Sequence, residues 1–367
     1  MRKIFVILLL PVLWACNNKK YDSIVESFKT NQQLAHKIFD VQDAENELLD
    51  PYSIAVSGNT ITTWNPRAPE LFTTIDIATK RVIKHWGTRG QGPNEFIGTV
   101  DMYNNYSNSG LNVWNQATAK LYFFPHCILE SGSIYFQTIP TGLSKPEDRN
   151  IYDFAHSVVQ IDTSLFFVAA GGRANKRLAL LDLKSNEAKE IGDFPHEDIN
   201  TQLPVGLRNM AYNSRIRYNR SLRKLVNVVF NSEMFEIYNV SVSETNVKLA
   251  MGNYTTVPKY RATTSSSGLT GAIVERVGNG KGRNREVTIS DKNIFILYQD
   301  YKRAGMLKPT DAELIADMVL VFDWDGNPVK IYELDCFVTT IDYDKLTNRL
   351  WAIHNNPYPE IIYFDLE

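Results

Sequence analysis

The chain has 367 residues and a mass of 41.8 kDa, which is enough for one large all-β domain or two ordinary ones. With 44% apolar and 11% aromatic residues it can fill a sizeable core, which excludes disorder for most of its length. Setting Arg2 and Lys3 aside leaves 37 basic residues against 41 acidic ones, a net charge near −4, so no nucleic-acid partner is expected.

Residues 1–15 form a targeting signal. Arg2 and Lys3 give a positive start, and Ile4 to Leu13 is an apolar run of ten, too short to span a bilayer as a helix. The run ends Leu13-Trp14-Ala15-Cys16, which resembles a bacterial lipobox with Cys16 as the lipid-modified first residue of the mature chain. The alternative is an ordinary secretory peptide cleaved near Ala15, which leaves Cys16 a plain thiol. Residues 16–33 read as a lipidated cysteine and a polar tether, although Ile24, Val25 and Phe28 fall on one face of a short helix. Asn17-Asn18-Lys19-Lys20 lacks the acidic pair of surface-export or retention signals. The expected place is therefore the outer membrane, with the domain facing the periplasm and held by the lipid alone.

Residues 34–367 carry short apolar runs at strand spacing, separated by polar turns, and they repeat. The first copy is 53–56, 60–64, 71–77 and 81–86; the second is 98–103, 111–114, 119–124 and 133–139. The third is 152–160, 165–170, 177–182 and 188–194, and the fourth is 210–218, 224–230, 233–240 and 246–252. Residues 254–286, rich in Thr, Ser, Gly, Arg and Lys, read as a long loop or insertion. The fifth copy is 287–290, 293–298, 318–322 and 329–334, with a short helix expected within 302–317, capped by Thr310 or Asp311. Its last two strands flank Asp325-Gly326, the dipeptide that a tight hairpin turn demands.

The sixth copy, 338–364, has only three strands. A propeller closes by letting one terminus complete the other's blade, and 35–41, Ala-His-Lys-Ile-Phe-Asp-Val, is the β-rich run placed to do so, pairing with 360–364 through Ile38 and Val41. The expected fold is an all-β, six-bladed β-propeller whose ring is closed by an N-terminal strand.

The segment Gly87-Thr88-Arg89-Gly90-Gln91-Gly92-Pro93-Asn94-Glu95-Phe96 resembles the G-x-x-G-x-G-P-x-E-F connector of six-bladed, TolB-like propeller lipoproteins of gram-negative bacteria, and is similar to the connector of NHL repeats. Phe322-Asp-Trp-Asp-Gly-Asn-Pro328 resembles the same lipoprotein family. The resemblance implies fold and location; it brings no catalytic residues.

In a blade whose strands run a to d outward from the axis, the b-to-c and d-to-a connections share one face, where function is expected. The b-strand ends are Trp64-Asn65, Trp114-Asn115, Gly171-Gly172-Arg173, Phe230-Asn231, Tyr298-Gln299 and His354-Asn355. Either the rings pack against neighbouring blades and the amides satisfy turns, or they ring the channel mouth and stack on a protein, peptide or glycan partner. On the second reading the binding residues are Trp64, Arg89, Trp114, Arg173, Tyr298 and His354, with both arginines placed to meet a carboxylate or phosphate.

The Gly-rich connector precedes no helix and is no phosphate-binding loop; it shapes a blade crossing or cradles an anion. Asp323, Asp325 and Asn327 alternate as in a Ca²⁺ loop but lack its central Gly and terminal Glu, so a hairpin is expected. No metal ligands recur at metal spacing and no cofactor motif is present. Cys127 and Cys336 either pair or remain separate buried thiols. The function expected is a membrane-anchored ligand-binding or protein-interaction module. The alternative is a hydrolase or lyase, with His156, Asp153 and His354 converging near the axis.

Overall fold

Strands such as Thr60–Trp64, Gly110–Asn115 and Leu165–Ala169 are buried along their whole length, which requires sheets covered on both faces, and here six four-stranded antiparallel units close into a ring. The computed structural model describes residues 22–42, 48–90, 92, 95–105, 110–126, 137–139, 155–169, 174–185, 187–195, 205–230, 232–264, 270–275, 282–301, 316–355 and 358–367. Cys16, Arg173, Cys127, Asp153 and the helix expected within 302–317 lie outside them, save for 316 and 317, which begin a strand. Among the described residues no helix is long and apolar enough to cross a membrane.

The innermost strands are Ser53–Ser57, Val100–Asn105, Ser157–Gln160, Ser214–Asn219, Gly282–Ile289 and Thr340–Asp344. Around them the described boundaries lie close to the expected repeats, the expected stretches 133–136 and 152–154 falling outside the described residues, and blades four and five differ. The fourth blade starts at Ser214 and not Met210, because Val205–Ala211 is a helix; after Val205 the run Gly-Leu-Arg-Asn-Met-Ala holds no β-branched residue and several good helix formers. The expected long loop at 254–286 contains a hairpin, Lys259–Thr264 with Thr270–Glu275, and the inner strand of blade five begins at Gly282.

Cores lie between blades. Phe72 and Trp86 of blade one stack at 4.2 Å, and Phe96 and Phe124 of the next blade close on them. Each such ring, buried, stabilises the fold by roughly 1.5 to 3 kcal/mol. The hairpin at Asp325-Gly326 forms as expected: Gly326 has φ +82°, and Asp323 accepts the backbone N–H of Asp325 and of Asn327, both at 2.9 Å. Trp324 is buried there and donates to the Ser290 carbonyl.

Ring closure also forms where expected, by a different side-chain set. Lys37 and Ile38 pair with Tyr363 and Ile362, and the Phe39 amide donates to Ile361. Ile38, expected inside, is 56% exposed; Phe39 and Val41 carry the apolar contact, with Phe39 edge-on to Trp351 at 5.1 Å. Phe39 and Val41, two residues apart, face the core together because side chains alternate along an extended chain.

The segment expected to be a tether through residue 33 docks from Asp22 onward. Asn31–Leu34 adds a parallel fifth strand to blade five, in register with Ile331 to Leu334. Before it, Ile24–Ser27 forms a single 3₁₀ turn. There Ser23 Oγ and the Ile24 amide donate to the buried Glu233 carboxylate at 2.7 and 3.0 Å, and Phe28 meets Phe322 edge-on at 4.9 Å.

A candidate ligand site at the channel mouth

On an inner strand, residues two apart face the axis together. In blade four these are Arg215 and Arg217. Arg217 spans to Asp101 of blade two, Nη2 to Oδ1 at 3.0 Å and Nη1 to Oδ2 at 3.2 Å, while lying 5.0 Å from the Tyr103 ring. Arg215 Nε lies 3.3 Å from Asp101 Oδ1, its Nη1 pairs with Glu286 of blade five, and Ser157 of blade three donates to Asp101. Burial disfavours both guanidinium charges. For Arg217 the Asp101 carboxylate outweighs that cost and the pKa is raised; for Arg215 burial prevails and it is lowered.

One layer further along the axis, Asp342 of blade six accepts from Thr288 Oγ1 of blade five at 2.7 Å and from the Val56 amide of blade one at 2.8 Å. Burial pushes its carboxyl up to about 6. Asn104 reaches the Val56 carbonyl at 2.8 Å. Through these contacts all six blades are tied at the axis by buried polar groups, and the channel is filled rather than open.

On the other side of the arginine–carboxylate layer lies a different surface. Asn284 pairs with Tyr298 and Glu286 with Leu297, so Arg285 is the extra residue of a β-bulge, and a bulge re-aims the side chain it carries. Arg285 lies within electrostatic range of Arg283, Arg215, Tyr52 and Tyr301. Its Nε is buried without a hydrogen-bond partner, and among the described residues no carboxylate pairs with its guanidinium. Burial first, and Arg283 after it, push its pKa down to about 10. Arg283 donates to Gln299 Oε1 at 2.7 Å with its guanidinium 6.0 Å from the Tyr301 ring, and Arg215 lies 5.5 Å from the Phe230 ring. Tyr52, 40% exposed, stands edge-on to Trp64 at 5.5 Å.

Tyr52 immediately precedes the inner strand of blade one, Arg215, Arg283 and Arg285 lie in the first half of theirs, and Tyr301 follows the second strand of blade five. They therefore occupy the d-to-a and b-to-c face on which function was expected, but they are not the residues named for it. The signal in the sequence was Arg215-Ile-Arg217 and Arg283-Asn-Arg285-Glu286, charges crowded onto strands that a propeller must bury.

The expected ring of aromatic ligand contacts is corrected by burial. Trp114 and Tyr298 are completely buried: Trp114 Nε1 donates to the Ala155 carbonyl at 2.7 Å and Tyr298 Oη to Glu233 at 2.6 Å. Trp64 is 6% exposed beneath Tyr52. The wedge between blades needs large apolar groups there, and these rings supply them. The amides serve turns and strands, Asn65 donating to Thr73 Oγ1 at 2.9 Å and Asn115 accepting the Thr118 amide at 3.2 Å.

Arg89 is exposed and donates to the Pro66 carbonyl, tying the connector to blade one. In that connector Glu95 accepts the Gly92 amide at 2.6 Å, and a Cβ on Gly90, at φ +155°, would collide with the Glu95 carboxylate. It shapes a crossing. His354 is in blade six, where its Nδ1 lies 2.7 Å from the Phe337 carbonyl, and His156 is in blade three beside Gln116, pushed down to about 4 by burial. The two histidines stand in opposite blades and do not converge.

Two other clusters carry chemistry. At the outer rim, where the chain passes from blade five to blade six, donor atoms of His36, Asp335 and Cys336 lie within 4.8 Å of one another. His36 Nδ1 is 2.9 Å from Asp335, and Cys336 is a free thiol pushed up to about 12 by burial and by Asp335. Between blades three and four a cavity of about 520 Å³ is floored by Arg177, paired with Glu236 at 2.6 and 2.9 Å. Glu236 also accepts from Asn227, Tyr238 and Tyr254, so this pair is fully satisfied.

The family model described as TolB-like 6-blade propeller-like matches residues 30–345, from the docked N-terminal strand to the last blade. The chain belongs to this family. Among solved structures this TolB-like propeller is similar to a member of the DUF4221 family from Bacteroides vulgatus, at 14% identity and TM-score 0.48, over 87% of this chain and 94% of that one. It is also similar to an auxiliary nutrient binding protein from Bacteroides thetaiotaomicron, at 9% identity and TM-score 0.48, over 86% and 69%. No curated protein matches it. Within the TolB-like ring Arg283 and Arg285 crowd the mouth end of the axis, beyond the Arg217–Asp101 layer.

Proposed function

We propose that this protein is a ligand-binding or protein-interaction module whose site is the channel mouth on the d-to-a and b-to-c face, anchored to the outer membrane through a lipid on Cys16 and facing the periplasm. The observation that carries the reading is the combination of an exposed ring, Tyr52, with guanidinium groups at one end of an axis plugged by polar layers. Ligand sites pair apolar walls with a few fixed polar groups, and a plugged axis makes this end a receptacle instead of a passage. Positive start, ten-residue apolar run and Ala15-Cys16 support the anchor.

Capture from solubilised membranes, followed by mass spectrometry, tests the site. Partners held by the wild type should be lost from the Tyr52→Ala/Arg285→Gln variant and kept by Leu346→Ala, on the far end. The reverse pattern puts the site on the wrong side of the ring. Cys16→Ser should move the protein from membrane to soluble fraction; unchanged membrane association, with no acyl label on the wild type, removes the anchor.

A further inference from the structure

Resting on the reading of the mouth as the ligand site, we propose that it takes an anionic group, a carboxylate, phosphate or sulfate, and that Arg285 is the residue that receives it. Three arginines lie together at the mouth, and the carboxylates of Asp101 and Glu286 are already engaged by Arg215 and Arg217. Arg285 is left over. Its Nε is buried with no partner, whereas among the described residues Arg215 and Arg217 each have a carboxylate beside them and Arg283 donates to Gln299. Holding a half-buried, unpaired cation beside other cations is costly, and an ionised partner from outside reduces that cost.

The geometry favours an oxyanion that offers two oxygens side by side. A guanidinium presents two parallel N–H donors to two oxygens, and Tyr301, beside Arg283, and the exposed Tyr52 lie within electrostatic range of Arg285. The Arg217–Asp101 layer closes the channel beneath, so the anionic end of a ligand enters first and its remainder lies toward the exposed Tyr52 ring. The bulge at Arg285 is the device that turns this side chain into the mouth; in regular register, Arg285 would follow the strand's alternation.

The test is isothermal titration of the full chain in detergent with galacturonate, galactose, inorganic phosphate and inorganic sulfate. Galacturonate or one of the inorganic anions should bind, and galactose should bind roughly tenfold or more weakly than its acid. Arg285→Gln should lose roughly tenfold or more in affinity for the anion, Arg285→Lys less, and raised salt should weaken wild-type binding. Free of ligand, Arg285→Gln should melt at or above the wild-type temperature, because an unpaired, half-buried charge beside other cations is gone.

Preference for phosphate or sulfate over galacturonate points to a phosphoryl or sulfuryl ligand, and the converse to a carboxylate; both support the inference. Failure of all three anions at millimolar concentration overturns it, as does full anion affinity in Arg285→Gln or a ligand-free variant less stable than wild type. If galactose binds as well as galacturonate and Tyr52→Ala weakens both, the mouth stands as the ligand site and the anion inference falls. If Tyr52→Ala and Arg285→Gln both leave every binding isotherm unchanged, the mouth itself is not the site.

Discussion

Arg217 in blade four holds both carboxylate oxygens of Asp101 in blade two, at 3.0 and 3.2 Å, across the propeller axis. Asp101 also receives Arg215 and Ser157, so one carboxylate neutralises the centre of the ring for three blades. Asp101→Asn keeps the shape and removes the charge, leaving two buried guanidinium groups with Glu286 alone. A loss of roughly 3 to 5 kcal/mol is expected in urea unfolding, as for other broken buried pairs. A loss below about 1 kcal/mol would show that water reaches the layer and does the neutralising.

Stability should also depend on how much of the N-terminus is kept. Removing residues 17–30 takes away Ile24 and Phe28 from the blade-four/blade-five core and leaves Glu233 without Ser23 and the Ile24 amide. Burial of two large apolar side chains predicts a cost of roughly 3 to 6 kcal/mol. Removing residues 17–41 adds the loss of Phe39, Val41 and two strands. Melting temperatures should fall in steps from full chain to the shorter and then the longer truncation; a first step of zero would mean that the docked turn contributes nothing.

Asp342 gives a signed pH dependence. Its folded pKa is raised above the ordinary carboxylate value to about 6, so the folded state holds the proton more tightly than the unfolded one. The stability this provides is present at low pH and is lost as pH rises through the window from about 4 to about 6, by roughly 3 kcal/mol at most. His156, held neutral down to about 4, acts in the opposite sense, losing stability as pH falls below its unfolded value. Asp342→Asn should therefore flatten the decline between pH 4 and 6 relative to wild type. Parallel wild-type and variant curves would place the proton elsewhere.

Trp114 and Tyr52 separate core from contact. Trp114→Ala empties a fully buried site and leaves the Ala155 carbonyl unpaired, so roughly 3 to 5 kcal/mol of stability should be lost. Tyr52→Ala removes a ring that is 40% exposed and should cost about 1 kcal/mol or less. Denaturation midpoints compare the two directly. Equal midpoints would mean that the blade-two core is as accessible as the mouth.

The blades were legible because a strand writes its own period into the residues, and turns such as Asp325-Gly326 punctuate it. Docking of Ser23 on Glu233 was not, since the partners stand 210 residues apart and neither has a local signature. The site was legible only as a face. Trp64, Trp114 and Tyr298 were placed at the correct ends of their strands, but position along a strand does not say whether a side chain points to solvent or into the wedge between blades. Arg285 was hidden by its bulge, since the run Arg283-Asn-Arg285-Glu286 does not alternate and therefore looks like loop.

The N-terminal segment is stitched to two blades in succession, Asn31 to Leu34 on the fifth and Lys37 to Ile38 on the sixth, with His36 held by Asp335 between them, 299 residues along the chain. Made first, it must wait for the last strands before it has anywhere to go. These contacts are among the longest-range in the molecule, and loop-closure entropy puts such pairings late in assembly. Until then both edges of the nascent ring are open to other chains. The completing strand thus makes the interval between emergence and closure the period in which this protein depends most on its surroundings.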